Sequence, residues 1–169
     1  MQRRTAIVAG LGVVGTLGGL QLLRSREDGV VSEAVRAIDA PGSTAGRLMI
    51  PPTGTPAVVD LFATWCAPCA TQMRALGAVH RAHGDDVRFI SVTNERLGGG
   101  FETADIAAWW REHDGAWTVA IDEGSDVMRA VGATALPYLV GFDAEGQVRA
   151  THGGLASTAE VESIIQAVG

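Results

Sequence analysis

Hydrophobic positions fall into blocks of different period along the chain. Residues 6–23 read AIVAGLGVVGTLGGLQLL, an uncharged run with Arg3 and Arg4 before it and Arg24 and Arg26 after it. As a helix this run reaches about 27 Å, close to a ~30 Å hydrocarbon core. Its glycines weaken a helix in water but are common in membrane helices and signal segments. No A-x-A cleavage pattern follows, so residues 1–24 are read as an N-terminal apolar helix, a signal sequence or membrane anchor that carries the remainder out of the cytoplasm. Residues 25–44 hold Asp39, Pro41, Gly42 and Ser43, a density of turn formers that reads as a linker. Within it, residues 30–38 can form a short helix or strand.

Beyond this stretch the period switches repeatedly between strand and helix. Residues 47–50 and 57–63 are short apolar runs suited to strands, and residues 68–83 carry a helical stripe at Cys69, Met73, Leu76 and His80. Residues 87–93 return to strand. Thr103 can cap a helix to His113 with Ile106, Trp109 and Trp110 on one face, and residues 117–121 are again strand. Ser125 can cap a short helix that stops at Gly132. Residues 138–142 and 147–152 flank Asp143-Ala144-Glu145-Gly146, a hairpin signal. Ser157 and Glu160 have the spacing of a capping box before Val161, Ile164, Ile165 and Val168. The order of elements predicts an α/β fold, a central mixed β-sheet flanked by helices, in one domain over residues 45–169.

Composition narrows the chemistry. At 169 residues the chain can bury a real core, and 47% hydrophobic against 19% charged residues is globular rather than disordered. The net charge is -6, and every one of the 13 basic residues is Arg, with no basic patch for a phosphate backbone. Nucleic acid is excluded as a partner on that ground. Gly98, Gly99 and Gly100 lack the Lys-Ser/Thr helix start of a phosphate loop and read as a plain loop.

Two cysteines cannot build a disulfide framework or a four-cysteine zinc site, and they stand three apart as Cys66-Ala67-Pro68-Cys69. The pair lies where an apolar strand meets a helix start. There the unpaired amides and partial positive charge of the helix favour a thiolate at Cys66, while Cys69 sits one turn in. Cys66 can attack a substrate disulfide, and Cys69 can then attack the mixed disulfide to release the reduced substrate. Two thiolates can also hold Cu(I), so a copper-carrying protein is the alternative. His80 is eleven residues from Cys69, about 16 Å along a helix, too far to share a metal with it. His80 and His83 read instead as helix-end residues interacting with the dipole.

VVDLFATWCAPC, residues 58–69, resembles the active-site strand and turn of the thioredoxin superfamily. ATALPYLVGFDAEGQV, residues 133–148, resembles its cis-proline strand and hairpin. With the helix at residues 103–113 inserted between them, the chain is similar to TlpA/ResA-like exported thiol-disulfide oxidoreductases. The resemblance implies a thioredoxin fold, Cys66 as nucleophile and Cys69 as resolving cysteine. It places Trp65 beside the pair, Pro137 as the cis-proline and Leu136 against the substrate. It also implies that Asp60, six residues before Cys66, is a buried acid that takes the Cys69 proton. The expected protein is a monomeric disulfide reductase or isomerase without cofactor or metal. Its partners would be exported proteins with disulfides and a membrane thiol donor. One departure stands out: relatives often have a glutamate three residues after the second cysteine, where this chain has Gln72.

Overall fold

The computed structural model describes residues 32–169. The apolar segment at residues 6–23 lies outside them. Seven strands form one sheet: β1 (Glu33–Ala37), β2 (Gly46–Ile50), β3 (Ala57–Phe62), β4 (Arg88–Thr93), β5 (Thr118–Ile121), β6 (Tyr138–Phe142) and β7 (Val148–Gly153). Four helices accompany them: α1 (Ala67–His83), α2 (Thr103–Glu112), α3 (Asp126–Ala130) and α4 (Thr158–Val168).

The spatial order is β2-β1-β5-β4-β3-β6-β7. The inner strands β3, β4 and β5 run parallel, and the outer pairings are antiparallel. All six residues of β3 are buried, as expected for a central strand covered on both faces. Alternation along it sends Val58 and Phe62 into a cluster with Leu76 of α1, Trp110 of α2 and Ile164 of α4. Val59 and Leu61 enter the opposite cluster with Val127 of α3. The parity that turns Val58 and Phe62 toward α1 turns Asp60 there too, and Asp60 hydrogen-bonds that helix through Gln72.

Several terminators act as the sequence predicts. Ser157 accepts from the Glu160 amide while the Glu160 carboxylate accepts from the Ser157 amide, closing the box that starts α4. Gly132, just past α3, has φ +70°, a left-handed conformation in which a side chain would be strained. Gly141 on β6 lets α4 approach: a Cβ there would lie 2.6 Å from the Ile164 side chain.

Besides the start of α1, three placements differ from the reading of sequence. The sheet begins at Glu33, inside the stretch taken as linker, because β1 pairs with both β2 and β5 and buries Val35 and Ala37. The pattern at residues 30–38 left helix and strand open, and the pairing decides for strand. Helix α2 is capped by Glu102, boxed with Asp105, instead of by Thr103. Ser125 precedes α3 with φ +57° and makes no side-chain cap; the Asp122 carboxylate accepts from the Val127 amide in its place.

Candidate active site

The centre of the site is built by the passage from β3 into α1. Strand β3 ends at Phe62, residues 63–65 turn, and Cys66 caps the helix with extended backbone, its sulfur accepting from the Cys69 amide at 3.3 Å. Pro68 stands in the first turn, where a missing N–H costs no intrahelical bond. Cys66 and Cys69 are joined by a disulfide with a Cα–Cα distance of 5.2 Å. Both are buried, whereas Trp65 beside them is 74% exposed.

A second strand end lies beside the end of β3. The Leu136–Pro137 peptide is cis, and Pro137 is buried immediately before β6, the antiparallel neighbour of β3. The Pro137 carbonyl accepts from the Gly154 amide at 2.9 Å, which ties in the loop after β7. Leu136 is partly buried and packs against the core on both sides of the sheet.

Beneath lies a buried polar network. Asp60 receives a hydrogen bond from Gln72 Nε2 on Oδ1 (3.0 Å) and one from Ser91 Oγ on Oδ2 (2.9 Å). Ser91 Oγ accepts from Trp117 Nε1 at 3.0 Å, and Gln72 Oε1 accepts from the Ala156 amide at 2.8 Å. Asp60, Gln72, Ser91 and Trp117 are all buried. Burial pushes the Asp60 carboxyl up from its usual range to about 7, and the Ser91 and Gln72 donors work in the opposite direction. A carboxyl poised there can hold or release a proton near neutral pH.

Sequence reasoning missed Glu95. Its carboxylate accepts from the Thr64 amide (2.8 Å), the Thr64 hydroxyl (2.6 Å) and the Thr93 hydroxyl (2.8 Å). It therefore clamps the turn two residues before Cys66 from the end of β4. No local pattern announced this, because the partners are 31 residues apart. Ser91 and Trp117 escaped notice for the same reason: each read as an ordinary strand residue.

The histidines stand apart from the pair. His80 packs its ring against Phe89 and Trp117, with centroids 5.2 and 5.1 Å away. Burial lowers its pKa, Arg81 lowers it further and Asp85 partly offsets them; this is opposite to the rise a helix C-terminal dipole would cause. His113 stacks on Trp109 at 4.2 Å, and Trp109 stacks in turn on Phe62 at 5.0 Å, so this tryptophan contributes to packing. Among the described residues no three His, Cys, Asp or Glu side chains are arranged to hold a metal, and no helix is long and apolar enough to cross a membrane.

A family model described as Redoxin matches residues 52–168. Among solved structures, DsbF of MTB superposes with TM-score 0.67 at 20% identity, covering 82% of this chain and 96% of that one. A Chlorobium tepidum protein described as thiol:disulfide interchange protein DsbE gives 0.64 at 24% identity, covering 80% and 94%. The exposed lipoprotein thioredoxin Etrx1 of Streptococcus pneumoniae gives 0.64 at 20% identity, covering 80% and 98%. A search of curated protein sequences finds no significant match. At these identities the superpositions establish a shared thioredoxin fold.

Proposed function

The chain belongs to the Redoxin family, in the thioredoxin superfamily, and on that premise we propose that it is a thiol-disulfide oxidoreductase that reduces or isomerises disulfides of exported proteins. The observation that carries this reading is the Cys66–Cys69 disulfide at the start of α1, bordered by exposed Trp65. In the reduced protein the Cys66 thiolate attacks one sulfur of a substrate disulfide, forming a mixed disulfide and expelling the other substrate sulfur as thiolate. Cys69 then gives its proton to Asp60, and its thiolate attacks the Cys66 sulfur. The second substrate sulfur leaves, the Cys66–Cys69 bond closes, and two electrons have passed to the substrate. A membrane thiol donor returns the pair to the dithiol.

Trp65, Leu136 and Pro137 border the pair as the substrate-facing rim in this reading. The apolar segment of residues 1–24 serves as signal or anchor. The exposed-lipoprotein description of the Streptococcus relative supports an extracytoplasmic site for the domain. For the Cu(I)-carrier alternative, no third His, Cys, Asp or Glu side chain stands with the two sulfurs among the described residues.

The test is trapping. Cys69→Ser lacks the resolving thiol and should accumulate intermolecular disulfides, visible as bands that vanish on reduction, while Cys66→Ser accumulates none. Equal trapping by both variants contradicts the assigned order, and trapping by neither removes the activity.

A further inference from the structure

The network around Asp60 has a direction. An indole N–H and a backbone N–H can only donate, so Trp117 and the Ala156 amide each fix the sense of the bond they make. Trp117 Nε1 donates to Ser91 Oγ, and among the described residues the Ser91 hydroxyl gives its proton to Asp60 Oδ2. The Ala156 amide donates to Gln72 Oε1, which turns Gln72 Nε2 and its protons toward Asp60 Oδ1. Flipping the Gln72 amide would set two donors against each other at Ala156. Among the described residues no buried side-chain nitrogen or oxygen lacks a partner, so the arrangement is complete as drawn.

We propose that Trp117, Ser91 and Gln72 are positioning residues for the resolving step, two pure donors forcing Ser91 and Gln72 to present protons to Asp60 and so holding it ready to accept one. The proposal rests on the oxidoreductase reading and adds to it a reason why Gln72 can stand where relatives have an acid. Gln72 is the donor whose orientation the loop before α4 dictates.

The surroundings leave the network as the main local control. From α1, Cys69 and His80 are the titratable groups on this side, and the His80 ring meets the Trp117 ring. Beyond the end of β4, Glu95 is engaged by Thr64 and Thr93. From β6 the register partner of Asp60 is Leu139. Next in that row is His152 of β7, whose Nδ1 lies 4.0 Å from Glu160 of α4. The buried positions of α4 are Val161, Ile164, Ile165 and Val168. No charged partner contributes to the Asp60 shift; the causes are burial and these two hydrogen bonds.

Each donor favours the ionised carboxylate, so losing one moves the titration of Asp60 toward higher pH. When the reduced full chain meets an excess of an aromatic disulfide reporter, attack by Cys66 releases one reporter thiol and resolution by Cys69 releases a second. The rate of the second release is followed from pH 5 to 9. Ser91→Ala should move its midpoint about one pH unit alkaline, the scale of one hydrogen bond to a charged group. Trp117→Phe should move it the same way by less, Ser91→Thr should bring it back toward the unaltered value, and Asp60→Asn should remove this midpoint and leave a slower release that follows the ionisation of the Cys69 thiol itself. The first release, which transfers no proton to Asp60, should move less than the second in Ser91→Ala and Trp117→Phe. Ser91→Ala deletes a single oxygen. Carbon-13 NMR of the Asp60 carboxyl in that variant reads the same alkaline shift without turnover, whether or not Trp117→Phe folds. An unmoved midpoint and an unmoved carboxyl titration in Ser91→Ala overturn the proposal. An unaltered chain that releases neither thiol defeats the oxidoreductase reading instead, and the carboxyl titration still decides the network.

Discussion

At the scale of single residues, Asp60 carries a cost that pH controls. Its carboxyl titrates near 7 in the fold against 3.8 for the free side chain, so folding favours its neutral form. The stability this provides is fully present below about pH 4 and is lost as pH rises through 7, in total roughly 4 kcal/mol. That is a large share of the ~5–15 kcal/mol by which domains are stable. Asp60→Asn, which stays neutral, should therefore gain on the unaltered protein between pH 4 and 8, read as a rising difference in urea midpoints. Glu95 tests a different kind of residue. Removing the acceptor of the Thr64 amide and hydroxyl with Glu95→Ala should lower stability by about 1–3 kcal/mol. Amide exchange at Thr64 should speed up with it. Asp60 and the cysteines were legible in the sequence because a motif fixes their spacing, whereas Glu95, Ser91 and Trp117 act on partners distant in the chain.

Elements were legible in proportion to how much of their own stabilisation is local. Helix α4 was readable to its first residue, because its box joins Ser157 to Glu160 and its stripe is regular. Ser157→Ala should cost about 1 kcal/mol in a denaturation experiment, since the hydroxyl no longer accepts from the Glu160 amide or donates to the Glu160 carboxylate. Helix α1 starts one residue earlier than its pattern implied, with Cys66 itself as cap. Strand β1 was the hardest. It has five residues, only Val35 and Ala37 among them are buried, and what keeps it in place is pairing on both sides. Pairing with β5, more than eighty residues later in the chain, leaves no trace in a local window. The cap of α2 moved by one residue because Glu102 and Asp105 satisfy the box as well as a hydroxyl would.

The whole molecule sets the direction in which electrons run. Ala67 and Pro68 place no positive charge between the cysteines, and an ionised Asp60 would oppose a thiolate nearby. Both effects favour the disulfide form. Equilibration with thiol buffers of known potential should give a midpoint nearer the about -270 mV of thioredoxin than the about -120 mV of DsbA. A value at the latter end would make the protein an oxidant. The register of the sheet carries a consequence for approach. Phe62, Thr93, Ile121 and Arg36 lie side by side across β3, β4, β5 and β1. Strand β1 runs against the parallel three, so Glu33 lies beyond that row at the same end as Cys66. The chain thus enters the domain on the side where the sulfurs open, three strand spacings or about 14 Å across. Nine residues, 24–32, separate the apolar stretch from β1, a leash of at most about 30 Å. Under the proposed anchoring the tether joins the domain at the same end as the sulfurs, so a donor in the same bilayer would meet them across little more than the length of that tether.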